Sequence, residues 1–202
     1  MKKTIIFDMD GVLVDACEWH RIALNESLKE ICGYEISLEE HYSTFNGIPT
    51  RVKLNILNKR NIVQEEKNIE IENLKQHKTI EIINKLAFPR EEKINLMYFL
   101  KEKRIKIGCY TNSIRKTSEL MLRKTGVFDY LDLLVTNEEV RKPKPDPEGY
   151  LICFEKLGVT KQESLIIEDS PKGIEAAKNS GAEFLVVKNI NEVNIDLIKE
   201  YF

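Results

Sequence analysis

Three acids, Asp8, Asp10 and Asp15, fall within eight positions of the stretch TIIFDMDGVLVDA, directly behind an apolar run. Glu168 and Asp169 follow a second such run, SLII, while Thr111 and Asn112 follow a third, IGCY. Carboxylates gathered in one place repel unless a hard cation neutralises them, and Mg2+ takes a few carboxylate oxygens together with water and phosphate. A carboxylate screened in this way can attack an anionic phosphorus and become an aspartyl-phosphate, a task that suits Asp8. A second carboxyl two residues later, Asp10, can protonate the leaving oxygen and then take a proton from the incoming water. Charge on the transferring phosphoryl oxygens needs donors as well. Thr111 and Asn112 can supply hydroxyl and NH groups, and Lys142 in RKPKPD can supply a cation from a loop stiffened by Pro143 and Pro145.

These residues are far apart in sequence, so the elements behind them must bring them together. Five apolar runs each end in a polar cluster: TIIF into DMD, IGCY into TNS, DLLV into TNEEV, SLII into EDS, and FLVV into KN. Unbroken apolar runs of this length suit strands buried on both faces, as in parallel sheets. Between them lie helix-length segments, INLMYFLKEK, RKTSELMLRKTG, DPEGYLICFEKLG and SPKGIEAAKNSG. Ser170 with Pro171 is a helix start, and Gly126, Gly158 and Gly181 stand where helices should stop. The alternation predicts a doubly wound α/β, Rossmann-like parallel sheet, in which ligands bind beyond the carboxyl ends of the strands.

From Asp15 to about Phe88 the pattern changes. Apolar residues recur at helical spacing among charges in IALNESLKEICGY, in TRVKLNILNKR, and in EEKNIEIENLKQHKTIEIINKL, which supplies one or two helices. The expected organisation is a core of residues 1–15 and 89–202 with an all-helical insert over 16–88.

At 202 residues the chain can build one sizeable core with an appendage, and its net charge of -2 offers no global field for nucleic acid or an anionic membrane. Any anion must be bound locally. The four cysteines are scattered, with no CxxC pair or Cys/His cluster. Asp8 and Asp10 interrupt the first apolar run too early for a signal peptide, and no segment approaches membrane-spanning length, so a reducing cytoplasm is the expected location. Nothing sets the oligomeric state, and a monomer suffices.

Taken in order, DMDGVLVD, YTNS, KPKPD and IEDSPKGIEAA resemble the four motifs of the haloacid dehalogenase-like superfamily of phosphotransferases. The resemblance covers essentially all of the sheet-forming part, and an insert directly after the first motif is similar to the family's C1-type helical cap. It implies that Asp8 is the nucleophile and Asp10 the acid/base. It further implies that Asp8, the Asp10 main-chain carbonyl and Asp169 bind Mg2+, with Glu168 acting through a water. Thr111, Asn112 and Lys142 would then hold the phosphoryl group. The KPxPD frame selects Lys142 over Lys144. An Asp at position 10 favours phosphate esters over the dehalogenase and phosphonatase branches.

The remaining expectations follow from position. Asp15 ends the turn after Gly11 and anchors the insert, and Gly173 lets the helix after Pro171 approach the sheet closely. His20 lies just past the hinge, either as a substrate contact or as a helical surface histidine. Gly47 sits in a turn like the family's specificity loop, and Arg51 can clamp a second anionic group or remain solvated. His41 and His77 have no supporting context.

The expected activity is Mg2+-dependent hydrolysis of a small phosphate monoester, such as a sugar phosphate, under a cap that closes over it. A mutase resembling β-phosphoglucomutase is the nearest rival. His20 matches that enzyme, but its arginine three residues after the loop glycine is replaced here by Thr50, with Arg51 one position later. A non-enzymatic phosphoacceptor module of the receiver kind is the second alternative, although it would need no helical lid.

Overall fold

In the computed structural model, residues 2–202 are described. By their contacts they fall into two compact units, the chain up to Asp15 with Phe88–Phe202, and Ala16–Ala87. Phe88 lies on the sheet side of that division.

The first unit holds strands β1 (Thr4–Phe7), β2 (Lys106–Tyr110), β3 (Leu133–Val135), β4 (Ser164–Glu168) and β5 (Glu183–Val186). All pair in parallel, in the order β3-β2-β1-β4-β5. The five strands are those expected from the apolar runs. Strand β1 is central, and its Ile5, Ile6 and Phe7 are fully buried, each stabilising the fold by roughly 1.5–3 kcal/mol. The chain winds outward from β1 to β3 and returns to β4 on the other side of β1. The carboxyl end of β1 therefore lies where the winding reverses, the place at which open α/β sheets bind ligands.

The second unit is helical. It comprises α1 (Cys17–Cys32), a single turn α2 (Leu38–Glu40) running into a wide turn over His41–Phe45, α3 (Thr50–Lys59) and α4 (Asn68–Leu86). Its apolar centre includes Leu24, Leu28, Phe45, Leu54, Leu57 and Ile71. Helix α1 begins at Cys17, five residues before the apolar stretch that marks it in the sequence, and EEKNIEIENLKQHKTIEIINKL forms one long helix after a short turn. The loop after α1 is held by Asn25, whose side chain accepts from Ile36 N (3.1 Å) and donates to Ile36 O (2.9 Å).

Helices α5 (Glu91–Glu102), α6 (Arg115–Lys124), α7 (Glu148–Leu157) and α8 (Pro171–Ser180) flank the sheet, and a short α9 (Ile195–Ile198) follows β5. Gly158 and Gly181 end α7 and α8 at φ values of 63° and 75°, a left-handed backbone that other residues adopt at a cost. Ser170 caps α8 by accepting from Gly173 N at 3.1 Å. Among the described residues no helix is long and apolar enough to cross a membrane.

Candidate active site

Strand β1 delivers Asp8 to the carboxyl end of the sheet. The Asp8 N–H still donates to Ile167 O (2.9 Å), which extends the parallel ladder one residue beyond β1 and fixes the direction of the side chain. Strand β4 delivers Glu168 as its last residue, and Asp169 follows. One carboxylate oxygen from each of Asp8, Glu168 and Asp169 lies within 4.8 Å of the others, so residues from two distant parts of the chain converge.

The cation among them is Lys144. Its Nζ donates to Asp8 Oδ1 (2.5 Å), Glu168 Oε1 (2.6 Å) and Tyr110 O (3.0 Å), and the residue is only 3% exposed. This corrects the expectation for Lys142, whose side chain is 75% exposed and lies 4.0 Å from Asp146. The K-P-x-P pattern occurs twice in overlap, from Lys142 and from Lys144, and the second copy is the one seated among the acids. Glu148 turns the first copy outward, because its carboxylate accepts the main-chain N–H groups of Arg141 (3.2 Å) and Lys142 (2.8 Å).

After Asp8 the chain leaves the sheet. Val12, Leu13 and Val14 fold back on Met9 O and Gly11 N donates to Val14 O, so Asp10 stands on a tight turn beyond β1. Its Oδ2 accepts from Ser113 Oγ at 2.9 Å. Ser113 was visible as the last letter of YTNS but was not among the expected site residues. Thr111 is buried and donates its N–H to Val135 O (3.0 Å), so the hydroxyl is the group it could offer to a phosphoryl oxygen. That oxygen already accepts from Ser113 N (3.0 Å). The Asn112 Oδ1 accepts from Lys144 N (3.2 Å), tying the loop after β2 to the loop that carries the lysine. Asn137, in the second TN pair of the sequence, supports the same loop by donating to Asn112 O at 2.8 Å.

The electrostatics are unbalanced. Fully ionised, Asp8, Glu168 and Asp169 would set three negative charges against the single ammonium of Lys144, in a region where Glu168 is fully buried and Asp8 nearly so. Burial raises the Asp8 carboxyl well above the usual range; Lys144 opposes this, while Glu168, Asp169 and Asp10 add to it. Burial, with Glu168 and Asp10 nearby, pushes Asp169 up to about 7. Burial would lower Lys144, but Asp8 and Glu168 more than offset it and hold the ammonium firmly protonated. Asp169 Oδ1 is buried without a hydrogen-bond partner. A hard dication fits this donor set: it would cancel the two uncompensated charges and give that oxygen a partner.

In the helical unit, His20 Nδ1 lies 3.2 Å from the buried Lys75 Nζ. Arg51 is exposed near the start of α3, one residue after Thr50. His41 is only 2% exposed, and burial lowers its imidazole to about 4, with Lys53 next among the causes. In the sheet unit Asp15 is exposed, 3.6 Å from Arg90, and Gly173 lies against Glu168.

Residues 5–187 match the family model for haloacid dehalogenase-like hydrolases, and the chain belongs to that family. The chain is 32% identical over 204 residues to the phosphorylated carbohydrates phosphatase of Thermotoga maritima, with 94% of this chain and 88% of that protein covered. It is 26% identical to pyrophosphatase PpaX of Bacillus velezensis, covering 89% of this chain and 80% of that one. Among solved structures, β-phosphoglucomutase from Clostridium difficile superposes with a TM-score of 0.85 at 25% identity, covering 99% of this chain and 96% of that one. The chain is a phosphatase in class, and membership of this family removes the receiver-like alternative.

Proposed function

We propose that the protein hydrolyses a small phosphate monoester of the sugar-phosphate kind, in a Mg2+-dependent reaction through phospho-Asp8. The observation that carries this reading is the convergence of Asp8, Glu168 and Asp169 around one buried lysine, an excess of carboxyl groups over cations that a dication would balance. The naming of the Thermotoga relative supports a phosphorylated carbohydrate as substrate.

In this reading an Asp8 carboxylate oxygen attacks phosphorus as the ester oxygen departs with a proton from Asp10, giving the free alcohol and phospho-Asp8. Asp10, now a carboxylate, takes a proton from water, whose oxygen attacks the same phosphorus. Inorganic phosphate leaves and Asp8 is regenerated. The Ser113 hydroxyl holds Asp10 in place for both transfers. Lys144 and the Thr111 hydroxyl face the charge that accumulates on the phosphoryl oxygens. Asp8, Asp169 and the Asp10 main-chain carbonyl would hold the Mg2+, with Glu168 acting through a water. When bound, the ion screens the nucleophile from the phosphate and stabilises the transferring group. His20 and Arg51 remain the proposed substrate residues of the helical unit.

Release of p-nitrophenol from p-nitrophenyl phosphate, with and without Mg2+, tests the reading. Wild-type activity should vanish with chelator and return with Mg2+, while Asp8→Asn should be inactive; unchanged turnover in that variant would sink the phospho-Asp8 proposal. The likeness to β-phosphoglucomutase over nearly the whole chain supports a second reading, transfer of phosphate between sugar hydroxyls. Thr50 stands where that enzyme's loop arginine is expected, which favours hydrolysis. Formation of glucose 6-phosphate from β-glucose 1-phosphate, primed by a bisphosphate, would decide for the mutase.

A further inference from the structure

Asn137, in the single turn Asn137–Glu139 that follows β3, holds the loop after β2 at two neighbouring carbonyls. Its side-chain amide donates to Asn112 O at 2.8 Å, and its main-chain N–H donates to Ser113 O at 3.2 Å. The residue is firmly seated. Thr136 before it is fully buried and donates its N–H to the Glu139 carboxylate at 2.9 Å, closing a capping box around the turn. Arg115 ties that carboxylate to the end of β3, donating both to Glu139 Oε2 and to Leu134 O at 3.0 Å.

The hold on Asn112 O reaches further than that atom. A peptide unit is planar, so the Asn112 carbonyl and the Ser113 N–H turn as one body and point in opposite directions. Fixing the carbonyl fixes the N–H. That N–H donates to Thr111 Oγ1 at 3.0 Å, while the Thr111 main chain is itself held by its bond to Val135 O at 3.0 Å. A hydroxyl oxygen that accepts in one direction sends its own hydrogen in another, so the Thr111 hydrogen is kept for an acceptor other than this amide.

We propose that Asn137 is a positioning residue: by anchoring the Asn112–Ser113 peptide it aims the Thr111 hydroxyl at the phosphoryl oxygens, so that this donor is in place before charge builds up on them. The inference rests on the phosphatase reading above and adds to it a residue, at the end of β3, that takes no part in the bond changes. Without the side-chain amide the peptide can rotate, its N–H leaves Oγ1, and the hydroxyl hydrogen is no longer directed. A donor fixed in advance costs no reorganisation at the moment of reaction, so losing the aim slows the chemical step more than it weakens ground-state binding. The Ser113 side chain, which donates to Asp10 at 2.9 Å, is anchored separately, since the bond from the Asn137 N–H to Ser113 O survives any change of the Asn137 side chain.

The test is a double-mutant cycle of Asn137→Ala and Thr111→Val in the full chain, read as kcat and KM for p-nitrophenyl phosphate at saturating Mg2+. Circular dichroism and the melting temperature check each fold. Thr111→Val keeps the shape and removes the hydroxyl, and should lower kcat by about a hundredfold, as the loss of one transition-state donor does. Asn137→Ala should lower kcat by about tenfold and leave KM within about twofold of wild type. In the Thr111→Val background the same change should cost less than about twofold, because no hydroxyl is left to aim. A merely structural role would cost the same factor in both backgrounds; that result, or an Asn137→Ala kcat within about twofold of wild type, overturns the inference and leaves the phosphatase reading standing. Should Asn137→Ala fail to fold, Asn137→Asp takes its place in the cycle, with the same shape and no amide donor. A wild-type protein that releases no p-nitrophenol would overturn the phosphatase reading and this inference with it.

Discussion

Lys144 Nζ lies 2.5 Å from Asp8 Oδ1, and the contact joins two residues separated by 136 positions in a site almost closed to solvent. Lys144 also bridges to Glu168, so removing it leaves two buried carboxylates facing one another without their shared cation. Breaking a buried ion pair by deleting one partner costs about 3–5 kcal/mol. Lys144→Met is therefore expected to lower kcat/KM for p-nitrophenyl phosphate by at least about a hundredfold, as the loss of one strong charge-stabilising donor does. Lys142→Ala, at an exposed position, should stay within about twofold of wild type, the roughly ±0.5 kcal/mol typical of surface changes. The opposite ranking would return Lys142 to the site.

The confusion between these two lysines marks the limit of what the chain discloses. Strands β1 and β4 were legible because TIIF and SLII are buried on both faces and need no partner to be recognised, whereas β5 was read from its apolar run although its residues are half-buried to exposed. Their order was not legible, since pairing depends on which crossover returns to β1. Both Lys142 and Lys144 satisfy K-P-x-P, and what separates them is a carboxylate six residues beyond Lys142, Glu148, which holds the first lysine's main chain outward. Tyr110 and Tyr150 read as ordinary core aromatics, because their spacing reports burial and not the direction of a hydroxyl. His41, without context in the sequence, is buried by a turn that only the folded helical unit forms.

Gly173 lies directly over Glu168, and a Cβ at that position would meet Oε2 at 2.0 Å. The close approach expected of this glycine is therefore to a carboxylate, beyond any general packing of α8 on the sheet. Gly173→Ala must displace either the helix or Glu168. Overpacking of this kind costs about 1–3 kcal/mol, and disturbing a metal's acidic neighbour costs about 10–100-fold in affinity. Thermal unfolding and Mg2+ titration of the variant should show both losses; an unchanged Mg2+ affinity would exclude Glu168 from the metal site.

Asp169, raised to about 7 in the metal-free protein by burial and by Glu168 and Asp10, sets a pH dependence of metal binding. Below that value the carboxyl holds a proton which the ion must displace. Apparent Mg2+ affinity should fall by about tenfold per pH unit as pH drops below roughly 7, and level off above it. The stability of the metal-free protein runs the other way. Because the folded pKa is raised above the ordinary carboxyl value of 3.8, the native state holds more protons than the unfolded chain between about 4 and 7, and stability is lost as pH rises through that window. Asp169→Asn should reduce both trends, in Mg2+ titrations and in denaturant unfolding with chelator present, leaving the part that the raised Asp8 carboxyl contributes.

His41 titrates in an overlapping range with the opposite sign. Burial, aided by Lys53, lowers its imidazole to about 4 from an ordinary 6.5, so the unfolded chain binds a proton there that the native state refuses. Stability from this residue is complete above about pH 6.5 and is lost as pH falls toward 4. Each tenfold difference in proton affinity between the folded and unfolded chain is worth about 1.4 kcal/mol, so the loss approaches about 3 kcal/mol at most, and solvent relaxation in the small helical unit brings the expected figure nearer 2. The Nε2 atom is buried without a hydrogen-bond partner, so a neutral side chain of similar shape gives up little. The contributions of His41 and Asp169 separate in a difference measurement: unfolding free energy of His41→Phe minus that of wild type, followed from pH 7.5 to 4.5 at constant ionic strength. The difference should move by about 2 kcal/mol in favour of the variant as pH falls, since Asp169 acts equally in both proteins and cancels. A flat difference would mean that the imidazole is protonated in the native state and that Glu18, the nearby acid that favours its charge, outweighs burial.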